Sequence, residues 1–406
     1  ASSSAAGGLR LAVIGLVPGL TVEAGNLAAL GAGAKVVGAW SFKLDDSAVR
    51  EIASSRPDMV LLAGGTDGGD RATLLHNARA LAAASITVPF VLAGNRFAAE
   101  EAAEILLRGG KETRVVPNVM PRYGELTVDG AREAIRGIFM ERITAAKGLE
   151  RIAEVVPAIV PTPMAVLQGA LLGAKSRPDE QDGGGLLVVD VGGATTDVHS
   201  VGYGTPQGPK LAEQGLPEPF AKRTVEGDLG IRFNARTLLD RAGIENFEKG
   251  FRASFSAIGL SREDILRYAD AVTRETGFLP KQAWQVALDA ELARTAVDIA
   301  IERHVGKKER IVAREGESWI YYGKDLTEAK TIIGTGGVFV HNPHAAHILS
   351  GKAERERYEV LRPRRARLFV DVSYTLYAAG LLSHSHPEVG RRIFDRYLQP
   401  LDPPQP

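Results

Sequence analysis

The sequence contains no cysteine, no long apolar run and no excess of charge of either sign. Without cysteine, the chain has no disulfide framework, no thiolate metal site and no cysteine nucleophile. No apolar run approaches the roughly 20 residues that a membrane helix needs, and 49 basic residues balance 49 acidic ones. We therefore expect no membrane segment and no bulk binding to nucleic acid, and a cytoplasmic location fits the absence of cysteine.

Several recognisable segments are also missing. The first eight residues are Ser-, Ala- and Gly-rich and lack the basic region of a signal peptide, and they lack an initiator Met, so we expect a longer natural protein. There is no Walker motif in the chain, and residues 9–120 contain neither Gly-x-Gly-x-x-Gly nor Asp-x-His-x-x-Gly. These absences disfavour a P-loop ATPase, a dinucleotide-binding domain and a base-off cobalamin binder.

Residues 9–120 alternate short apolar runs with helical patterns, which is typical of a parallel, doubly wound α/β sheet. The predicted strands are Leu9–Ile14, Lys35–Trp40, Met59–Ala63, Pro89–Ala93 and Arg114–Pro117. The predicted helices are Thr21–Leu30, Ser47–Ser55, Arg71–Ala84 and Ala98–Leu107. The pattern predicts a Rossmann-like domain.

Two glycine-containing loops follow strands of this domain. One runs from Ala63 to Asp70, with Asp70 as a candidate helix N-cap, and the other is Ala93-Gly94-Asn95-Arg96. Glycine-rich loops before a helix N-terminus bind anions in many α/β proteins. They are equally common as plain strand-to-helix turns, and the sequence leaves both interpretations open.

The most informative stretch is Asp190-Val-Gly-Gly-Ala-Thr-Thr-Asp197, which follows an apolar strand and precedes another. Its spacing predicts a β-hairpin whose glycine turn lets backbone N–H groups approach an anion. The two acids are hard oxygen ligands suited to Mg²⁺ or its waters. We predict a phosphate cradle with a metal site, formed by Asp190, Gly192, Gly193, Thr195, Thr196 and Asp197.

A second glycine motif, Thr331-Ile-Ile-Gly-Thr-Gly-Gly337, reads as a strand that runs into a glycine turn. Such a turn lets the backbone approach a flat base and its ribose, which side chains would block. The candidate contacts are Gly334, Thr335, Gly336 and Gly337. Alone, the motif is also compatible with an ordinary strand-to-helix turn.

The order of these motifs resembles that of actin-like ATPases, which include actin, sugar kinases, DnaK-type chaperones and FtsA. In that superfamily a phosphate hairpin is followed by a glycine-acid loop, a helical subdomain, an adenosine loop and a final small-residue helix. The corresponding stretches here are 190–197, Glu226-Gly-Asp-Leu-Gly230, 334–337 and 378–382, with a first connecting helix near 163–169. The resemblance implies an actin-like, ribonuclease H-like α/β fold that binds ATP and Mg²⁺, with Glu226, Gly227 and Gly230 near the nucleotide.

Under this resemblance Asp190 orients the attacking water or a metal-bound water, Thr195 contacts the γ-phosphate and Asp197 holds the metal through water. Catalysis would consist of positioning and charge neutralisation. The implied domains are an inserted Rossmann-like domain at 9–120, a core at 121–235 with the connecting helix and phosphate loop, a helical subdomain at 236–308, and a core at 309–399 with the adenosine loop and final helix.

A narrower resemblance is to the glutamate mutase accessory proteins of the MutL or GlmL type, which are unrelated to mismatch repair. It rests on 190–200, Lys222–Gly230, 334–339, 62–69 and the first eight residues. It implies a chaperone or reactivating factor for an adenosylcobalamin-dependent mutase, and a homodimer is a further expectation. The alternatives are an ATP-dependent enzyme subunit of the hydantoinase or acetone-carboxylase type and an FtsA-like nucleotide-binding scaffold.

The sequence departs from the actin-like pattern in one respect. The superfamily begins with another hairpin, Asp-x-Gly-Ser/Thr-x-x-Thr, which supplies the first phosphate loop, and this motif does not occur before residue 186. The Rossmann-like segment would then be an insertion after that hairpin. We expect the loss of half of the phosphate grip to impair ATP hydrolysis by this chain.

Two clusters of basic side chains remain. His341, His344 and His347 follow the adenosine loop, and their pattern favours helix surface and capping over a metal site. The arginines at 362, 364, 365 and 367 favour a solvated loop, with partner docking as the alternative. His199, on the strand that leaves the phosphate turn, is predicted to be structural.

Overall fold

The computed structural model describes residues 1–3, 9–32, 34–146, 160–175, 185–204, 211–214, 218–313, 316–350 and 359–401. The chain divides into two compact units. The first consists mainly of residues 3–161, and the second of residues 162–214 and 218–406.

The first unit contains a sheet of five parallel strands in the order β2-β1-β3-β4-β5. The strands are β1 Leu9–Ile14, β2 Ala34–Trp40, β3 Met59–Leu62, β4 Phe90–Leu92 and β5 Thr113–Val115. The predicted parallel α/β sheet is confirmed, with every strand within one or two residues of its expected position. The order reverses between β1 and β3, the point at which ligands commonly bind such sheets.

Five helices cover this sheet: α1 Glu23–Ala32, α2 Asp46–Ser54, α3 Ala72–Ala83, α4 Arg96–Arg108 and α5 Asp129–Ala146. A π-helical turn, Pro18–Val22, precedes α1. Alternate residues of β1 point to opposite faces, so Leu11 and Val13 pack with α1 and α5 while Ala12 and Ile14 pack with α2, α3 and α4. The unit extends beyond residue 120 because α5 completes one of these two cores.

The second unit is built on a mixed six-stranded sheet in the order β9-β7-β6-β12-β14-β15. Strands β6, β12 and β14 are parallel, whereas β7, β9 and β15 pair antiparallel with their neighbours. The strands are β6 Leu186–Val191, β7 Thr196–Val201, β9 Ala221–Glu226, β12 Thr331–Thr335, β14 Arg367–Asp371 and β15 Leu398–Pro400.

A four-stranded sheet in the order β8-β11-β10-β13 belongs to the same unit. Its strands are β8 Leu211–Gln214, β10 Lys307–Ala313, β11 Gly316–Tyr322 and β13 Glu359–Val360. The helices of the unit are α6 Thr162–Lys175, α7 Ala235–Ala242, α8 Ile244–Ser254, α9 Arg262–Arg274, α10 Ala283–His304, α11 Gly337–His341, α12 Ala345–Leu349, α13 Leu376–Leu382 and α14 Pro387–Tyr397. The sequence patterns did not predict β9, α14 or β15.

Helices α6 and α13, the two predicted connecting helices, cross at a pair of glycines. A Cβ on Gly169 would lie 2.5 Å from the Leu376 carbonyl oxygen, and a Cβ on Gly380 would collide with the Ala165 carbonyl oxygen. Only glycine permits this approach of the two backbones. The crossing packs both helices on the face of β6 that carries Leu186 and Val188.

Candidate functional site

The β6–β7 hairpin places Asp190 and Asp197 directly opposite each other. They form one register pair of the antiparallel ladder, so their side chains project from the same face of the sheet. Both residues are nearly inaccessible to solvent, with 6% and 4% of their surface exposed. The hairpin therefore concentrates two carboxylates in a buried position.

The two carboxylates are poorly satisfied. Oδ1 of Asp190 and Oδ1 of Asp197 have no hydrogen-bond partner in the described part of the chain. Burial and then the neighbouring charge of Asp371 raise the pKa of Asp190 to about 7. Burial and then the charge of Asp190 raise the pKa of Asp197 well above its usual value. Buried, unpaired carboxylates are costly unless a cation or proton compensates them, so the pair fits a divalent cation.

The turn between the two strands presents backbone amides. The Gly192 amide is used internally, since it donates to the Thr195 carbonyl oxygen at 2.9 Å. The amides of Gly193, Ala194 and Thr195 donate no hydrogen bond to the described residues. These half-exposed donors next to an acid pair form the type of concavity that binds anions.

The predicted glycine-acid loop, 226–230, and the residues that follow it to Asn234 pack against this turn. A Cβ on Gly230 would lie 2.5 Å from the Gly193 carbonyl oxygen. The Asn234 amide donates to the carbonyl oxygens of Ala194 and Gly227, at 2.8 and 3.0 Å. The Thr196 hydroxyl is not free for a ligand, because it donates to the Leu229 carbonyl oxygen at 2.8 Å. Gly230 and Thr196 therefore shape the turn.

The acidic residues of this loop are already paired. Arg303, near the end of α10, lies 2.6 Å from Glu226 and 2.8 Å from Asp228. Gly227 is buried beneath them. Glu226 was predicted to lie near a nucleotide, and the structure places it in register with Thr196 at the end of β9, held by an arginine.

The predicted adenosine loop lies against the acid pair. Gly336 has φ of +107°, a conformation that favours glycine. A Cβ on Gly336 would collide with the Val191 carbonyl oxygen and lie 2.9 Å from Asp190 Oδ1. Gly334 faces the Phe339 ring, where a Cβ would come within 2.6 Å, and Gly337 is exposed at the start of α11. The two glycine motifs, about 140 residues apart in sequence, thus form one site.

Asp371 and Tyr374 also belong to this site, and the sequence motifs did not reveal them. The buried Thr335 hydroxyl donates to Asp371 Oδ2 at 2.9 Å, so Thr335 orients Asp371. The Leu376 amide donates to the same carboxylate at 2.8 Å. Asp371 ends β14, shortly before the small-residue helix α13. An acid in that position is the sequence feature that could have revealed it as a site residue.

Tyr374 lies between Asp371 and α13 with φ of +51°, a strained value for a tyrosine. Its hydroxyl lies 3.5 Å from Asp190 Oδ2. Burial and the charge of Asp190 raise the pKa of Tyr374, so the hydroxyl remains protonated and can donate. Strained residues that persist beside buried acids are typical of functional sites.

The histidines lie outside this arrangement. His347 Nε2 lies 3.0 Å from buried Glu291, and the rings of His344 and His347 both contact Phe255. His199 is fully buried, neither ring nitrogen has a hydrogen-bond partner among the described residues, and burial lowers its pKa well below the usual value. The contacts of His344 and His347 agree with their predicted structural roles, and the structural role of His199 stays a prediction.

The loops of the first unit are internally bonded. The fully buried Asn95 side chain accepts from the Gly68 amide and donates to the Gly69 and Asp70 carbonyl oxygens. Asp70 accepts from the Thr73 amide, as expected of a helix cap. The glycines at 64, 65 and 68 have positive φ, so the turn itself requires them. These observations favour the plain-turn interpretation of 64–70.

Among the described residues, no group of three or more His, Cys, Asp or Glu side chains has the spacing of a metal site. Mg²⁺ commonly takes only one or two carboxylates from a protein and completes its shell with water and phosphate. In the same part of the chain, no helix is both long and apolar enough to cross a bilayer.

Comparison with known proteins shows which family this chain resembles over nearly its whole length. The model of the family described as "MutL protein" matches residues 1–398. The protein named "Protein MutL" from Clostridium tetanomorphum is 42% identical over 400 residues, covering 98% of this chain and 85% of that protein. The match spans both structural units.

Proposed function

Because the chain belongs to the MutL protein family, we propose that it is an ATP-binding accessory protein with an actin-like fold. Its role would be that of a chaperone or reactivating factor for an adenosylcobalamin-dependent mutase of the glutamate mutase type. The observation that carries the nucleotide assignment is the pair of buried, unsatisfied carboxylates, Asp190 and Asp197, beside a turn with unbonded amides.

The topology of the second unit supports the actin-like part of the proposal. The phosphate hairpin, the glycine-acid loop, the adenosine loop and the final helix follow one another in the order that the resemblance requires. They gather at the edge of the sheet where β6, β9, β12 and β14 end, and β6, β12 and β14 are adjacent parallel strands. Ligands of open α/β sheets bind at this edge.

Each residue of the candidate site then contributes to the binding of Mg-ATP. Bound Mg²⁺ supplies neutralising charge to the phosphates. Asp190 and Asp197 hold the cation or its waters, and the amides of Gly193, Ala194 and Thr195 bind phosphate oxygens. Gly336 leaves room at Asp190, the Tyr374 hydroxyl orients that acid, and the charge of Asp371 adds to the negative potential that attracts the cation. Changes in these contacts on hydrolysis would be passed to a partner.

Calorimetric titration of the chain with Mg-ATP tests the nucleotide assignment. We expect Asp190→Asn and Asp197→Asn to weaken binding at least roughly tenfold, as loss of a charge-assisted contact does. Asp240→Asn, on an exposed carboxylate of α7, is the matched control and should bind like the unchanged chain. Equal affinity of all four proteins would refute the assignment.

A recovery assay tests the accessory role separately. An adenosylcobalamin-dependent glutamate mutase is inactivated by turnover and then incubated with Mg-ATP, with and without this protein. We expect faster recovery with the unchanged chain than with Asp190→Asn. Identical recovery in its absence would exclude the reactivating role while leaving nucleotide binding intact. Substrate-stimulated ATP turnover without a mutase would favour the hydantoinase-type alternative, and nucleotide-dependent filaments the FtsA-type alternative.

A further inference from the structure

The second unit contains a cavity of about 620 Å³ away from the acid pair. Ile332 and Leu368, near the amino ends of β12 and β14, contribute to its lining. Thr335 and Asp371, at the carboxyl ends of the same strands, belong to the candidate nucleotide site. Three residues of strand, on the order of 10 Å, separate the two positions. The cavity is therefore distinct from that site.

The floor of the cavity is apolar. Ile301 from α10, Ile332 from β12 and Leu349 from α12 line it, and each belongs to the buried core. A concave site of this volume with an apolar lining is typical of small-molecule sites, which range from roughly 300 to 1,000 Å³. The floor would accommodate a hydrocarbon or aromatic body.

The rim carries an excess of positive charge. Arg362, Arg364 and Arg367 line the opening, and Arg365 lies beside them in the chain. Arg362 pairs with Asp298 at 2.7 Å, and Arg364 pairs with Glu359.

Arg367 is the best placed cation to receive a ligand. It is exposed, it forms no ion pair with a carboxylate among the described residues, and its guanidinium lies 5.8 Å from the centre of the Phe369 ring. Phe369 also lines the cavity. An arginine resting on an aromatic ring is partly preordered, and its planar fork suits a carboxylate or a phosphate.

We propose that this arginine-rimmed cavity binds a small organic anion with an apolar body. The body lies on Ile301, Ile332 and Leu349, and the anionic head group binds Arg367. The charge balance of the rim selects an anion, and the apolar floor selects against a bare inorganic ion. The proposal does not depend on nucleotide binding.

Calorimetric titrations of the full chain with decanoate, decyl phosphate and decanol, below their aggregation concentrations and without nucleotide, test the site. We expect an anionic probe to bind at least roughly tenfold more tightly than decanol, as one charge-assisted contact provides. The anion that binds more tightly identifies the preferred head group as carboxylate or phosphate. Equal binding of decanol and both anions, or no binding of either anion, overturns the proposal.

Two variants locate the binding. Arg367→Gln removes an exposed charge and should weaken the better anion roughly tenfold, whereas Arg252→Gln, an exposed arginine on α8, should not. Ala366→Phe fills the cavity from its wall and should abolish binding. Thermal unfolding checks that both fold. Unchanged affinity in Arg367→Gln refutes the site, and so does unchanged affinity in a folded Ala366→Phe chain.

Discussion

Two glycine turns of this molecule lie at the carboxyl ends of parallel strands and differ in how their polar groups are satisfied. In the first unit, the loop after β3 is bonded by buried amide side chains, chiefly Asn95 and Asn118. In the second unit, the turn after β6 leaves carboxylate oxygens of Asp190 and Asp197 buried and unbonded. Glycine content alone does not distinguish a structural turn from a binding turn, but the unsatisfied polar atoms do.

The two turns predict opposite effects of substitution on the free energy of unfolding. Polar groups that are bonded within the protein stabilise it, and their loss lowers the free energy of unfolding. Polar groups held ready for a ligand destabilise the ligand-free protein, and their replacement raises it. The following predictions use this difference.

The largest effect is expected for Asp190→Asn without Mg²⁺. Because the folded-state pKa of Asp190 is raised to about 7, the folded chain holds its proton more tightly than the unfolded chain does. Stability of the unchanged protein therefore falls as pH rises from about 4 to about 7. Above that window, Asp190→Asn should be more stable by up to about 4 kcal/mol, and below pH 4 the two should be alike.

Urea unfolding at pH 4 and pH 8 measures this difference. Added Mg²⁺ should raise the stability of the unchanged chain at pH 8 more than that of Asp190→Asn, since the variant keeps only one of the two carboxylates that hold the cation. A variant that is less stable at pH 8 would show that Asp190 is a structural acid.

The second effect concerns the bonded turn. Asn95→Ala removes the hydrogen bonds that this fully buried side chain makes with Gly68, Gly69, Asp70 and Phe97. We expect a loss of about 3 kcal/mol in unfolding free energy, with unchanged Mg-ATP affinity. Asn246→Ala, whose side chain makes one exposed hydrogen bond, is the control. A large loss of Mg-ATP affinity in folded Asn95→Ala would contradict the plain-turn interpretation.

Tyr374→Phe tests the support of the acid pair. The hydroxyl contact lowers the pKa of Asp190, against the larger effects of burial and Asp371. Without it, Asp190 should stay protonated to a higher pH, and Mg²⁺ affinity at pH 7 should fall about fivefold, which corresponds to about 1 kcal/mol. The deficit should shrink at pH 9. Tyr377→Phe, the neighbouring ring, should show no deficit, and a deficit independent of pH would argue against this role.

The smallest effect is expected at Phe42, in the loop after β2, where φ is +64° and the side chain is exposed. Phe42→Gly relieves this conformation and should stabilise the chain by about 0.5 kcal/mol. Phe42→Ala keeps the strain and should not stabilise it. Chemical unfolding of the two variants side by side measures the difference, and equal stabilities would mean that the backbone conformation carries no cost.

Much of the fold could be predicted from local patterns. Apolar runs placed the strands of the parallel sheet, and helical spacing placed α2 and α3 within one residue, because burial on the faces of a sheet dictates periodicity. Strand β9 was missed because Lys222 and Arg223 interrupt its apolar character. Arg223 is buried in the fold. Only partners distant in sequence can compensate the burial of its charge. Helix α14 was missed for a similar reason, since its apolar face is short and its remaining residues are charged.

The candidate site, like the fold, could be predicted from the sequence only in part. The sequence alone determined the family, the two glycine motifs and the acids at 190 and 197, because residue type and spacing carry that chemistry. Only the tertiary structure showed that Thr196 and Glu226 are already bonded and that Asp371 and Tyr374 join the acid pair. Parallel strands 140 to 180 residues apart in sequence align their ends in register. That register, which no local pattern encodes, decides which groups remain buried without a partner.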